Sequence, residues 1–177
     1  MNIAVPREIT EGERRVALTP NTVSQLAGMD LEISAQQDAG IDALHPDSEY
    51  RDAGATLTPD AESLYKTADV ILKVRKPTVD EVAMMKDGAI LIGFLDPMTD
   101  HELKSRLAKS GISAFSMGAV PRIARAQSMD ALTSMASIAG YRAALIAASS
   151  IQKYLPMMVT AAGTIPPARG LVLGAGV

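Results

Sequence analysis

Short apolar runs recur along this chain, separated by stretches with helical spacing. Residues 3–5, 31–35, 69–74, 89–94 and 112–117 read as strands, 69–74 as a buried one, each a brief run of mostly apolar positions bounded by turn residues. Between them lie helix signals. Thr19-Pro20 opens a helix to about residue 29, with Thr19 as cap and Pro20 in the first turn, where its missing N–H costs nothing. Residues 48–53 predict a short helix closed by Gly54, and residues 79–86 one stopped by Asp87-Gly88. Thr99-Asp100-His101-Glu102 has the form of a capping box, starting a helix that ends at Gly111. Strands alternating with helices at this spacing predict βαβ units and a mostly parallel sheet.

The pattern changes after Gly118. An irregular segment, 119–127, leads into a long helix expected over 128–154, with Ser128 as cap and Asp130 in the first turn. Met129, Leu132, Ala136, Ala139, Ala143 and Ile146 form a seam whose neighbours are mostly Ala, Ser and Gly. Small residues let another backbone come close, so this helix is expected to pack between layers or domains. A proline-containing hinge, 160–167, follows. The chain then runs through Leu171-Val172-Leu173 into Gly174-Ala175-Gly176-Val177. An apolar run into Gly-x-Gly is how a strand enters the turn that cradles a dinucleotide pyrophosphate; it is also how many ordinary turns look. The third glycine or alanine, the helix behind it and the acidic residue about twenty positions on are not in this sequence. The chain is therefore expected to be a piece of a longer protein. The fold class expected is α/β: a mostly parallel Rossmann- or flavodoxin-like sheet flanked by helices, followed by the start of a second Rossmann domain that binds NAD. The expected division is a lobe over 1–125, then a linking helix and first strand over 126–177.

Composition narrows the functions. A hydrophobic share of 47% in 177 residues excludes a disordered chain. A net charge of −3 gives no general attraction to nucleic acid or anionic lipid. Without cysteine there is no disulfide, thiolate metal site or cysteine nucleophile. The two histidines, His45 and His101, sit in surface-type positions with no acidic cluster, so no metal site is expected. No basic leader with an apolar run opens the chain, and no run of eighteen apolar residues occurs. A cytoplasmic, soluble-type protein without a membrane span is the expectation.

Two segments are too polar for their places. Arg7-Glu8 through Glu13-Arg14-Arg15 follows the first strand, where loops of an open α/β sheet line the ligand crevice; a solvated charged loop fits equally. Residues 121–133 crowd Arg122, Arg125, Gln127, Ser128, Asp130 and Thr133 into a loop that meets a helix N-terminus. Such groups can grip a carboxamide, a ribose or an anion. Composition alone favours a capped, solvated helix start.

The same segments carry a resemblance. Ile3-Ala4-Val5-Pro6-Arg7-Glu8 and Arg15-Val16-Ala17-Leu18-Thr19-Pro20 are shared with alanine dehydrogenases. The runs 120–132, 138–143 and 160–168 are more selective, and on them the whole chain resembles the NAD(H)-binding component of proton-translocating NAD(P) transhydrogenases. This resemblance overturns the solvated-loop reading of 121–133. It implies a two-lobed subunit that binds NAD between its lobes, pairs as a homodimer, and docks peripherally on membrane-embedded subunits and an NADP-binding domain at the cytoplasmic face. It places Arg122, Gln127, Asp130 and Thr133 around the nicotinamide, with the backbone of Gln127, Ser128, Met129 and Asp130 beside it. Gly174, Gly176 and Val177 would face the pyrophosphate. Thr133 departs from the family's usual Ser, keeping the hydroxyl and adding a methyl. The activity implied for the complete protein is hydride transfer between NAD(H) and NADP(H); this chain alone is expected to bind NAD weakly or not at all and to be inactive.

The rival is an alanine dehydrogenase-like oxidoreductase. Oxidising an amine and hydrolysing the imine requires a proton acceptor and a group that handles water. The dehydrogenases place a Lys and a His in two crevice loops, where this chain has Arg75 and Asp96. Arg75 does not deprotonate. Hydride exchange between two nicotinamides needs orientation rather than acid or base, so no catalytic side chain is expected and transhydrogenation is favoured. Arg15 matches a carboxylate-binding arginine of the dehydrogenases, but both families carry it.

Overall fold

A computed structural model of the chain describes residues 1–174. It forms two compact units, Met1–Met129 and Asp130–Val177.

The first unit alternates strand and helix: β1 (Asn2–Val5), α1 (Pro20–Ala27), β2 (Glu32–Gln36), α2 (Asp47–Asp52), β3 (Thr56–Thr58), α3 (Ala61–Thr67), β4 (Val70–Leu72), α4 (Val79–Met84), β5 (Ile90–Gly93), α5 (His101–Lys109) and β6 (Ser113–Ser116). The six strands are all parallel, in the order β3-β2-β1-β4-β5-β6. Side chains alternate between the faces. Ala4, Ile71 and Leu91 join the core under α3, α4 and α5, with Leu64, Tyr65, Val82, Leu103 and Leu107. Ile3, Val5, Ile33 and Val70 face the other way, toward Val23 of α1 and Tyr50 of α2. The Tyr50 hydroxyl donates to the Leu18 carbonyl at 2.7 Å, so this buried phenol is satisfied.

In the first unit one strand and one α-helix escape the sequence pattern; in the second, the pair β7 (Met158–Thr160) and β8 (Gly163–Ile165) stands where a hinge over 160–167 was expected. β3 has three residues and no long apolar run; only pairing with β2 makes it a strand. α3 is capped by Asp60, whose carboxylate accepts the Ser63 N–H at 2.8 Å. The caps also differ from expectation in detail. Thr19 makes no side-chain cap. At α5 the cap is Asp100, accepting the Leu103 N–H at 3.0 Å, while the Thr99 hydroxyl donates to the Asp96 carbonyl. The complete capping box lies at α4, between Thr78 and Glu81.

The second unit holds α6 (Ala131–Ser150) and the antiparallel pair β7 (Met158–Thr160) and β8 (Gly163–Ile165). α6 is capped by Asp130, not Ser128, and stops at Ser150 rather than Tyr154. An Asp carboxylate reaches the N3 amide as Ser would, and it also carries the charge that the helix N-terminus favours. The seam expected to pack buries no residue of α6. By length and composition α6 is apolar enough to cross a membrane. The expected strand over 171–173 does not form: these residues are irregular, and Leu171 is 85% exposed. A strand needs a neighbour to bond with, and among the described residues none pairs there.

Candidate functional site

The strand order reverses between β1 and β4, and their carboxyl ends mark the crevice where such sheets bind ligands. A dinucleotide site has a glycine turn after the first strand. Here Pro6-Arg7-Glu8 leaves β1, and charged side chains close the space. Glu8 reaches across to the loop after β4: its Oε1 accepts the Val74 N–H at 2.6 Å and its Oε2 the Arg75 N–H at 3.3 Å. Lys73, buried, lies between two carboxylates, with Nζ 2.5 Å from Glu81 Oε1 and 3.7 Å from Glu8 Oε2. The Tyr65 hydroxyl donates to the same Glu81 oxygen at 2.7 Å. Gly93 completes the packing: a Cβ there would lie 2.7 Å from the Lys73 carbonyl oxygen.

One ammonium serves two carboxylates, and distance decides which gains more. Burial pushes Glu81 up, but the Lys73 charge and hydrogen bond, the Thr78 amide and Tyr65 outweigh it, holding this carboxyl below its usual range. At Glu8 burial is also the largest influence and it wins, so that carboxyl is raised despite Lys73 and the two amides. Burial, then the neighbouring Glu81 charge, raise the Tyr65 phenol.

A second cluster sits at the crevice mouth. Glu13 takes the Arg15 fork at 2.7 Å and 2.6 Å and Arg75 Nε at 2.8 Å. Arg75 is thus an ion-pair partner. Asp96 is exposed, with a left-handed φ of 45° that Asp tolerates better than most residues. Neither position offers the amine and imidazole of the dehydrogenase arrangement.

The predicted nicotinamide loop has a different character. Arg122 lies in exposed irregular chain, and Gln127, Ser128 and Met129 occupy an exposed 3-10 turn, Ala124–Met129. Only Ala126 of that turn is buried. Asp130 and Thr133 touch: the Thr133 amide donates to Oδ1 at 3.0 Å and its hydroxyl to Oδ2 at 2.5 Å. Asp130 and Thr133 fall in the second unit, and Arg122 to Met129 in the first. Gly174 takes a φ of 95°, backbone that favours glycine, with nothing among the described residues within 4 Å of a Cβ. Gly176 and Val177 lie outside the described residues.

Sequence reasoning passed over Lys73, Glu81 and Tyr65. Two signals were present: a lysine inside the apolar run 69–74, and Glu81 three residues after Thr78. No local pattern could say that Lys73 and Tyr65 meet on one Glu81 oxygen. Among the described residues no group of His, Asp and Glu is arranged to hold a metal ion.

The strand order and this crevice define a Rossmann-type α/β domain whose first ligand crevice is closed by ion pairs instead of opened by glycines. Residues 4–139 match the family described as alanine dehydrogenase/PNT, N-terminal domain, and the chain belongs to that family. It is similar to the NAD(P) transhydrogenase alpha subunit of Rhodospirillum rubrum, in the first of the pieces into which that subunit is divided: 44% identical over all of this chain and 47% of that protein. Against NAD(P) transhydrogenase subunit alpha of Haemophilus influenzae it is 45% identical, covering 34% of that protein. The crystal structure of a transhydrogenase from Sinorhizobium meliloti matches 95% of the chain with a TM-score of 0.89 at 41% identity, covering 50% of that chain. Alanine dehydrogenases are more distant: that of Halomonas elongata is 33% identical, and a solved L-alanine dehydrogenase has a TM-score of 0.67 over 71% of the chain. The chain spans about a third to a half of the transhydrogenase relatives it matches.

Proposed function

We propose that this chain supplies the first lobe, and the beginning of the second, of the NAD(H)-binding component of an NAD(P) transhydrogenase. The observation that carries this reading is the identity of 44–45% along the whole chain to transhydrogenase alpha subunits, against 33% for an alanine dehydrogenase. The crevice agrees: Arg75, paired with Glu13, is no proton acceptor for amine oxidation.

The residues present fit NAD. Among the described residues the Arg122 and Gln127 side chains have no hydrogen-bond or ion-pair partner, so both are available to a ligand. Gly174 has the backbone and the clearance of a turn that approaches a pyrophosphate. In this reading Arg122 and Gln127 hold the nicotinamide end, with the backbone of Ser128 and Met129 beside it. Asp130 and Thr133 act as a pre-formed pair, and Gly174, Gly176 and Val177 face the pyrophosphate. Bound NAD supplies the hydride chemistry. The protein's role is orientation, bringing reacting atoms to about 3–3.5 Å. NADP belongs to a partner domain. Proton translocation belongs to membrane-embedded subunits, on which a homodimer of this component docks from the cytoplasmic side. α6 is covered by protein in that assembly, because Arg142 in its interior would cost about 2.5–3.5 kcal/mol near a bilayer centre.

The test uses the complete subunit reconstituted with its partners. Hydride transfer from NADH to an NADP analogue is expected, and Gln127→Ala is expected to slow it. Turnover of L-alanine with NAD, without such transfer, would replace this reading by the dehydrogenase one. For the chain of 177 residues, titration of NADH fluorescence should show only weak binding; saturation in the low micromolar range would contradict that.

A further inference from the structure

Glu8 fastens the segment leaving β1 to the backbone that follows β4. Its Oε1 accepts the Val74 N–H at 2.6 Å and its Oε2 the Arg75 N–H at 3.3 Å. The two oxygens are therefore not equivalent. Oε1 makes the short bond. Oε2 makes the long one and stands 3.7 Å from Lys73 Nζ, beyond hydrogen-bond reach.

The buried charges do not balance. Glu8, with a side chain 4% exposed, and Glu81 lie on either side of a single ammonium. Glu81 has that ammonium at 2.5 Å, together with the Tyr65 hydroxyl and the Thr78 amide, and so it keeps its charge. Arg15 also faces Glu8, but its fork closes on Glu13, and the Arg75 guanidinium turns to Glu13 as well. The surplus negative charge falls on Glu8, where burial already lifts the carboxyl above its usual range. A proton taken from solvent relieves that burial cost. It also turns one acceptor oxygen into a donor. Oε1 is the better placed acceptor, so the proton goes to Oε2. An O–H there meets an amide N–H and an ammonium, neither of which can accept it.

We propose that Glu8 is a proton-operated clasp on the β1–β4 crevice: ionised, it holds the backbone of both Val74 and Arg75; protonated on Oε2, it keeps Val74 and releases Arg75. The released stretch carries the guanidinium that crosses to Glu13, so the two loops loosen where Arg75 ties them. Glu13 does not drive this step, because its carboxyl stays ionised down to about 2. The inference stands on Glu8, Lys73 and Glu81 and does not depend on the NAD reading.

The experiment follows amide hydrogen exchange in the full chain by NMR, from neutral to mildly acidic pH, with rates corrected for the intrinsic pH dependence of exchange. Arg75 is expected to lose protection by about tenfold, the worth of one hydrogen bond, in a single step centred above 4.5, the ordinary glutamate value. Val74 is expected to keep its protection through that step. Glu8→Gln is neutral at every pH and leaves Lys73 matched to Glu81, so it should fold and show the Arg75 amide already released, with no step. Loss of protection at both amides together, no step above 4.5, or a step that persists in Glu8→Gln would each overturn the proposal. If Glu8→Gln yields no folded protein, the parent decides: a step at Arg75 alone supports the clasp, and any other pattern refutes it.

Discussion

Lys73 Nζ lies 2.5 Å from Glu81 Oε1, inside the layer between sheet and helix, with both side chains almost wholly buried. A buried ion pair is costly to assemble but far more costly to halve, because the survivor keeps an uncompensated charge. Lys73→Ala or Glu81→Ala is expected to destabilise the first lobe by about 3–5 kcal/mol. Tyr65→Phe leaves Glu81 its lysine and its Thr78 amide, and should cost only about 1 kcal/mol. Urea unfolding followed by far-UV dichroism measures all three. A loss below that of Tyr65→Phe for either member of the pair would show that the pair is not structurally important.

Acid should weaken the crevice through Glu13. Its carboxyl is held near 2 in the folded protein, chiefly by the Arg15 side-chain hydrogen bonds, against 4.5 when free. The folded state therefore binds fewer protons between these values. The stabilisation is complete above about 4.5 and is lost as pH falls toward 2. Glu81, also lowered, acts in the same direction; Glu8, raised, acts oppositely and loses its contribution as pH rises. The urea midpoint of the parent should fall more steeply below pH 4.5 than that of Glu13→Gln. Parallel slopes would remove Glu13 from the account.

Gly93 is required by space. A methyl group there would press on the Lys73 carbonyl oxygen at 2.7 Å, and a strand backbone cannot yield as a flexible side chain can. Gly93→Ala is expected to cost about 1–3 kcal/mol, the usual penalty of overpacking, measured by denaturant midpoint. A neutral result would mean that β4 and β5 can separate locally.

The nicotinamide loop should separate binding from stability. The Arg122 side chain has no partner among the described residues, so Arg122→Ala should leave unfolding within about 0.5 kcal/mol while slowing hydride transfer in the reconstituted enzyme. Asp130 differs because it caps α6. Asp130→Ala should reduce helicity and cost about 1 kcal/mol, and Asp130→Asn should retain most of the cap. Loss of stability with Arg122→Ala would give that residue a structural role instead.

Much of the fold was legible because it rests on local rules. The apolar runs at 3–5, 69–74 and 89–94 mark inner strands of the parallel sheet, since a strand covered on both faces needs apolar residues throughout; the run 112–117 marks the edge strand β6, which is largely exposed. β3 was not legible: three residues become a strand only by pairing with β2. The run 171–173 shows the converse, an apolar strand pattern without a partner. The long matches over residues 120–168 pointed to the family, because many positions together outweigh any single glycine motif.

The sequence by itself therefore determined the α/β class, the family and the arginine and aspartate that stand where a dehydrogenase needs a lysine and a histidine. Only the tertiary structure decided that Glu8, Lys73, Tyr65 and Glu81 share one buried network, and that Arg15 and Arg75 close on Glu13. Those residues come from different loops and helices, as much as 73 positions apart between Glu8 and Glu81. Their contact depends on strand order and on which side of the sheet each helix takes, and no local spacing in the chain records either.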